Sequence, residues 1–412
     1  MYGRHFTSLE PRRLASFALL SAVALFHSGC AATLVERRVV PENLVASAEL
    51  DGLAGVRAWG DQPLVTFEQF RKTEGPVLRE KYLDRRRKGM PLESHLLALS
   101  GGADDGAFGA GLLIGWSEHG DRPEFDLVTG VSAGALIAPF AFLGRDYDKP
   151  LSEIFTLYAG DQIYEADVLA GILGGSSLAK SDHLKSLIDK YVDNDMMRRI
   201  AEERKRGRLL LVGTTNIDAE RPVYWDMGRI ASAGSAHALQ TLRQVLLASA
   251  SIPGIFPPVR IAVRAGGKTF EELHVDGGTT REVFFSPADF SFRDLDKALS
   301  LKINRRLYVI RNGKINPEWQ ATEENTFAIG QRSLATVLKN QTLGDLTRMH
   351  AKARAEGIDY NLAVIPDDFK TPRPKPFDRG YMTSLFQHGL GLGRAGYAWM
   401  KAPPGILAGK AR

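Results

Sequence analysis

The sequence predicts an α/β fold: a mainly parallel central sheet with helices on both faces. Short apolar runs such as Leu96-Leu97-Ala98-Leu99 end in glycines, as strands buried on both sides do. Helical patterns alternate with those runs along the chain, which is the order crossover connections require. The composition, 44% hydrophobic and 25% charged over 412 residues, is ordinary for a globular chain with room for a large core.

The first segment reads as targeting rather than structure. Arg4, Arg12 and Arg13 precede an apolar run from Leu14 to Phe26, and Ser28-Gly29-Cys30 follows, the pattern of a secretory signal peptide. The apolar run is about 13 residues, short of the roughly 18–20 that span a bilayer as a helix. A lone cysteine directly after such a segment resembles the bacterial lipoprotein signal, in which the cysteine is lipidated and becomes the mature terminus. By that resemblance Ala31, rather than Asp, favours sorting to the outer membrane. His27 stands where that signal usually has Leu, and an ordinary signal peptide cut near Ala31 or Ala32 is the other reading. The expectation is a signal peptide over 1–29 and a lipid anchor on Cys30, placing the chain on the periplasmic side of the outer membrane.

Residues 30–93 are polar and irregular in pattern, and read as a tether with some accessory helix. Their basic patch, Arg85-Arg86-Arg87-Lys88, reads as a solvated face. From His95 the α/β pattern begins, with a strand at 96–99 and a helix over 107–119 stopped by Gly120. A second strand is expected at 125–129 and a second helix at 133–143. Further strands are expected at 209–213, 273–275, 307–310 and 361–365. Helical patterns cover 239–249, 326–355 and 382–399. No linker interrupts this run, so 94–403 is expected to be one domain, with 404–412 as a tail.

Three segments carry chemistry. Gly130-Val131-Ser132-Ala133-Gly134 lies between the second strand and the second helix, the strand–turn–helix setting of a nucleophile elbow. Small flanking residues let the turn approach its neighbours, and the helix N-terminus favours negative charge near the serine. A Gly/Ser-rich helix cap without chemistry is the alternative. Gly101-Gly102-Ala103-Asp104-Asp105-Gly106, at the first strand's end, is either a phosphate-cradling loop or an oxyanion hole. Two adjacent aspartates would repel phosphate, and no Walker lysine is present. Asp276-Gly277-Gly278 by itself is a turn; it gains interest as the missing base for Ser132.

In this order, the glycine-rich loop, the elbow and the Asp-Gly-Gly resemble the patatin-like phospholipases, and the likeness covers roughly residues 94–403. It extends to the segment from Ala248 through Ile252-Pro253-Gly254 to Pro258, and to Thr214-Thr215-Asn216-Ile217-Asp218 with Pro222-Val223-Tyr224-Trp225-Asp226. The resemblance implies a three-layer fold and a Ser-Asp dyad without histidine, with Ser132 as nucleophile and Asp276 as its base. It implies an oxyanion hole from the backbone of Gly101, Gly102, Ala103 and Ala133, supported by Gly106, Gly130, Gly134, Gly277 and Gly278. It implies hydrolysis of lipid carboxylic esters (phospholipase A, lysophospholipase or esterase) through an acyl-enzyme, with a lipid or phospholipid substrate and no cofactor. Two positions depart from the family pattern. Ala103 stands for the third glycine of the loop, and Asp105 for an Arg, Lys or Asn. A negative Asp105 near an oxyanion opposes catalysis unless it points to solvent, and a lipid-binding protein without activity is the corresponding alternative.

Other classes fare less well. A Ser-His-Asp triad in α/β-hydrolase order would need His350, expected on a helix surface, or His388. His274 shares a strand face with Asp276 and reads as a core or rim histidine. The net charge of +5, from 53 basic and 48 acidic residues, is too dilute to argue for nucleic acid. One cysteine excludes an intramolecular disulfide, and no His/Asp/Glu cluster has metal-ligand spacing. The segments 168–175 and 252–256 read either as acyl-chain walls or as packed structure.

Overall fold

The computed structural model describes residues 37–62, 67–158, 160–163, 165–166, 177, 179–287 and 289–405. The signal peptide, Cys30, the segment 168–175 and most of the tail, 406–412, lie outside the described residues. The strands are β1 (Arg57–Trp59), β2 (Glu93–Leu99), β3 (Leu127–Val131), β4 (Leu209–Asn216) and β5 (Arg221–Asp226). They continue with β6 (Val259–Ala265), β7 (Lys268–Asp276), β8 (Asn304–Arg311) and β9 (Asp359–Val364). One path through the sheet runs β1-β5-β4-β3-β2-β8-β9, and β4 also pairs β7, which pairs β6. The ladders from β9 through β8, β2 and β3 to β4 are parallel; those involving β1, β5, β6 and β7 are antiparallel. The parallel part is the expected sheet. Of the antiparallel part, only the 273–275 segment of β7 is marked by the apolar-run pattern.

The helices used below are α1 (Gly75–Arg87), α2 (Gly106–His119), α3 (Ala133–Leu143), α4 (Asp148–Leu157) and α5 (Ala236–Ser249). Three more follow: α6 (Phe292–Leu299), α7 (Thr326–Glu356) and α8 (Arg379–Arg394). On one face of the sheet, Leu97, Leu99 and Val128 pack with residues of α2, α3, α5 and α8. On the other, Leu96, Ala98, Leu127 and Leu307 pack with α6 and α7. Helices α2 and α8 meet backbone to backbone. A Cβ on Gly111 would come 2.1 Å from the Phe386 carbonyl oxygen, and one on Gly393 2.5 Å from that of Leu112.

Within 30–93, read as a tether plus some helix packed on the main domain, the described residues 40–62 are folded into the main unit. Val40–Arg412 is one compact unit, β1 is a strand of the main sheet, and Val40, Ala48, Leu50, Leu53 and Val56 are in the core. These apolar positions are scattered through short irregular segments, so no periodicity marks them as buried. The last helix ends at Arg394 rather than near Trp399, whose ring packs on Trp116 at 5.0 Å between centroids.

Candidate active site

Strand geometry brings Ser132 and Asp276 together. β3 runs beside β4 as far as the pair Val131–Gly213, then leaves the sheet at Ser132. β7 enters antiparallel along the next residues of β4 and ends with Asp276 opposite Thr214. The two candidate residues therefore face neighbouring positions of one strand from opposite directions.

Ser132 has φ 54° and ψ −125°, the strained backbone of a nucleophile elbow. It occupies the N-cap position of α3, yet its hydroxyl does not cap the helix. The plain capping alternative therefore does not describe it. The elbow depends on Gly134, where a Cβ would lie 2.4 Å from the Leu99 carbonyl oxygen. The end of α5 braces both residues. The Ser132 N–H donates to Ser249 Oγ at 3.0 Å, Ser249 Oγ donates to the Gly213 carbonyl at 2.7 Å, and the Asp276 N–H donates to the Ser251 carbonyl at 2.9 Å.

Asp276 Oδ1 accepts the Gly278 N–H at 2.7 Å, while Oδ2 is buried and has no partner of regular geometry. Burial and the nearby Glu282 push the Asp276 pKa up to about 8, against lowering by the Ser132 hydroxyl and the Gly278 N–H. Ser132 is thus close enough to act on the carboxyl, though not in a regular hydrogen bond. A loose contact of this kind is common before substrate tightens a site.

The glycine-rich loop abuts the elbow. A Cβ on Gly101 would come 3.1 Å from Ser132 Cβ, and one on Gly106 3.0 Å from Ala133 Cβ. Gly101 is a correction to the expected donor set: its N–H donates to the Glu282 carbonyl at 3.2 Å. The N–H groups of Gly102, Ala103 and Ala133 have no such partner among the described residues. Gly102 (φ 153°) and Ala103 (φ 52°) form the turn. Asp105 does not point to solvent; its Oδ1 accepts the Tyr381 hydroxyl at 2.6 Å. Asp104 is buried, accepts the Phe377 N–H at 3.0 Å and faces Arg373 at 2.6 Å. Both aspartates are thus engaged by the 373–381 segment, and burial raises the pKa of each.

A small cavity of about 60 Å³ opens beside Ser132, lined by apolar residues including Leu136, Phe155, Leu184, Ile252, Phe256 and Phe377. A larger one, about 500 Å³, lies on the opposite face of the sheet among Leu96, Leu127, Leu211, Tyr224, Phe285 and Phe292. Charged residues of its lining are paired, as in Arg204–Asp226 and Arg229–Asp226, and neither Ser132 nor Asp276 lines it. The smaller cavity is the one that touches the chemistry.

The three candidate histidines have other partners. His274 is fully buried, with Nδ1 on Thr214 Oγ1 at 2.9 Å and Nε2 on Glu272 at 3.0 Å. His350, expected on the surface, is buried edge-on against Tyr360, and His388 packs on Phe369. Among the described residues no group of three His, Cys, Asp or Glu side chains is placed to hold a metal, and no helix is long and apolar enough to cross a membrane. Sequence reasoning missed Ser249 and Glu282. Ser249 lies in a segment the resemblance had already picked out; Glu282 carries no local signal.

A mostly parallel sheet flanked by helices, with a strained serine at a strand–helix elbow, is consistent with a patatin-like fold. Residues 97–289, from β2 to just beyond Glu282, match the family model described as patatin-like phospholipase. Among solved structures, VipD from Legionella pneumophila is 13% identical with a TM-score of 0.34, over 75% of this chain and 68% of that one. The type III effector protein ExoU is 14% identical with a TM-score of 0.20, over 74% of this chain and 53% of that one. No curated protein gives a significant match.

Proposed function

We propose that the protein hydrolyses carboxylic esters of lipids by a Ser132–Asp276 dyad through an acyl-enzyme. The observation that carries this reading is the strained Ser132, its hydroxyl not used as a cap, beside a buried carboxyl with an unpartnered oxygen. Ser132 Oγ attacks the ester carbonyl as its proton passes to Asp276, and Asp276 returns that proton to the leaving alcohol. Water then repeats the sequence on the acyl-enzyme and releases the fatty acid. The N–H groups of Gly102, Ala103 and Ala133, at the positive end of α3, are the donors available to the oxyanion. The narrow apolar cavity suits an acyl chain rather than a polar headgroup.

The sign of the pH dependence follows from the raised Asp276. It accepts a proton only when ionised, so kcat/KM rises with pH through about 8. Hydrolysis of short nitrophenyl esters and of phospholipid vesicles tests the reading. Ser132→Ala and Asp276→Asn are each expected to lose about 10⁴-fold or more while remaining folded. A folded parent that is inert and unlabelled at Ser132 by a fluorophosphonate would sink it and favour a lipid-binding role. The N-terminal pattern extends the proposal to an outer-membrane lipoprotein anchored through Cys30. A mature terminus of diacylglyceryl-cysteine mass is expected, and a free amine at Ala31 or beyond removes the anchor.

A further inference from the structure

Glu282, in the turn that follows Asp276-Gly277-Gly278, is a second carboxyl in the same site. Its backbone is pinned at both ends: the N–H donates to Asp345 Oδ2 at 2.9 Å and the carbonyl accepts the Gly101 N–H at 3.2 Å. Its side chain is buried, and Oε2 has no hydrogen-bond partner, just as Asp276 Oδ2 has none. Two glycines make the space for it. The point where a Gly278 side chain would begin is 2.6 Å from Glu282 Oε1 and 3.0 Å from Asp276 Oδ1. The corresponding point on Gly101 is 2.6 Å from Glu282 Oε2 and 3.1 Å from Ser132 Cβ. The two carboxyls therefore approach each other around Gly278, and Glu282 reaches past Gly101 towards Ser132.

The surrounding charges do not neutralise the pair. On β8, Arg311 Nη1 is 3.9 Å from Glu282 Oε2 and is bonded instead to the Gly101 carbonyl at 2.9 Å. On α7, Asp345 adds negative charge, itself held by Arg348 at 2.5 Å and by Arg281 of the same turn at 3.4 Å. Gln341, also on α7, is neutral and donates to the Gly278 carbonyl at 3.0 Å. On the loop, Asp104 and Asp105 face Arg373 and Tyr381, and on β7 His274 faces Thr214 and Glu272. Two buried carboxylates this close cannot both ionise cheaply, so the charge of one raises the pH at which the other ionises.

We propose that Glu282 is a positioning residue for the dyad: its carboxylate opposes ionisation of the nearby Asp276 and so sets the pH at which Asp276 can accept the Ser132 proton. This rests on the dyad reading above. As the Ser132 Oγ–acyl bond forms, the serine proton joins Asp276; as the ester C–O bond breaks, that proton leaves on the alcohol oxygen. Burial raises the Glu282 pKa, against lowering by Arg311 and with a further rise from Asp345; burial and then Glu282 raise that of Asp276.

The test compares the full chain with Glu282→Gln and Glu282→Asp, following kcat/KM on a nitrophenyl ester and Ser132 labelling by a fluorophosphonate across pH. Glu282→Gln is expected to move the rising limb of both profiles down by about one pH unit or more, because it removes the competing charge. Glu282→Asp is expected to keep the limb near that of the parent. A Glu282→Gln enzyme that is still labelled, with its limb unmoved, makes Glu282 a packing residue and overturns the proposal while leaving the dyad intact. Should Glu282→Gln not fold, ¹³C carboxyl titration of the full-length Ser132→Ala protein decides. Two coupled steps for Asp276 and Glu282 are expected, and independent single steps overturn the proposal. A parent that is neither active nor labelled fails the dyad reading instead, and the carboxyl titration still reports on the pair.

Discussion

At the scale of single residues, the site stores backbone strain at two non-glycine positions, Ser132 (φ 54°) and Ala103 (φ 52°). The strain at Ser132 is inseparable from the elbow that exposes its hydroxyl. At Ala103 it is not, because the left-handed conformation costs an L-residue roughly 1–2 kcal/mol that a glycine avoids. Ala103→Gly is therefore expected to raise stability by about 1 kcal/mol, measured as a shift in the urea midpoint, after the extra entropy of an unfolded glycine is set against the relief. Its N–H remains in place, so kcat/KM should be equal to the parent's or a few-fold higher. A loss of stability would mean that the Ala103 methyl group, at the rim of the Ser132 cavity, contributes more by packing than the turn loses by strain. The departure from the family's glycine that made Ala103 conspicuous in the sequence is thus a cost in backbone geometry, with the donor itself retained.

At the scale of elements, what was legible depended on how local each signal is. The strand–elbow–helix unit was legible because its apolar run, glycines and helix period are contiguous, and α3 spans the expected 133–143. β3 began two residues late, at Leu127, because its first hydrogen-bonded partner is set by β2 and β4 rather than by its own sequence. The β6–β7 hairpin was largely missed, although Val259–Ala265 alternates buried and exposed residues, because charged Arg260 and Arg264 interrupt its apolar content. The pairing of α2 with α8 rests on Gly111 and Gly115 meeting Gly389 and Gly393, two patterns 274 or more residues apart that only the fold joins. Such a backbone-close crossing fixes α2, and with it the glycine-rich loop at its N-terminus. Glu282 was illegible for the same reason: its function is read from Gly101 and Asp276 across the pocket, not from its neighbours in sequence.

At the scale of the molecule, the N-terminal residues from Val40 onward are bound to the strand that ends in Asp276. Arg57 on β1 forms a buried ion pair with Glu272 on β7 and also donates to the Ala48 carbonyl at 2.6 Å. Glu272 accepts from His274 Nε2 at 3.0 Å; His274 Nδ1 meets the Thr214 hydroxyl, which accepts the Trp225 indole N–H at 2.8 Å. The chain of bonds joins β1, β7, β4 and β5, with each polar atom named in it satisfied. Burial by itself would raise the Glu272 pKa, but His274 and Arg57 hold it at about 2. A depressed carboxyl contributes stability that is present above its unfolded value near 4.5 and is lost as pH falls through about 2. Arg57→Ala leaves Glu272 buried without its cation, so a loss of about 3–5 kcal/mol at neutral pH is expected by urea unfolding. The deficit should shrink as pH falls from about 4 towards 2, because the unpaired Glu272 of the variant is then protonated and no longer a buried charge, while the parent keeps its ion pair until about 2. A deficit that is small, or that does not change with pH, would mean that the segment from Val40 is held by its apolar contacts alone and that β1 is an accessory strand. The expected result makes β1 part of the scaffold that carries Asp276 to Ser132.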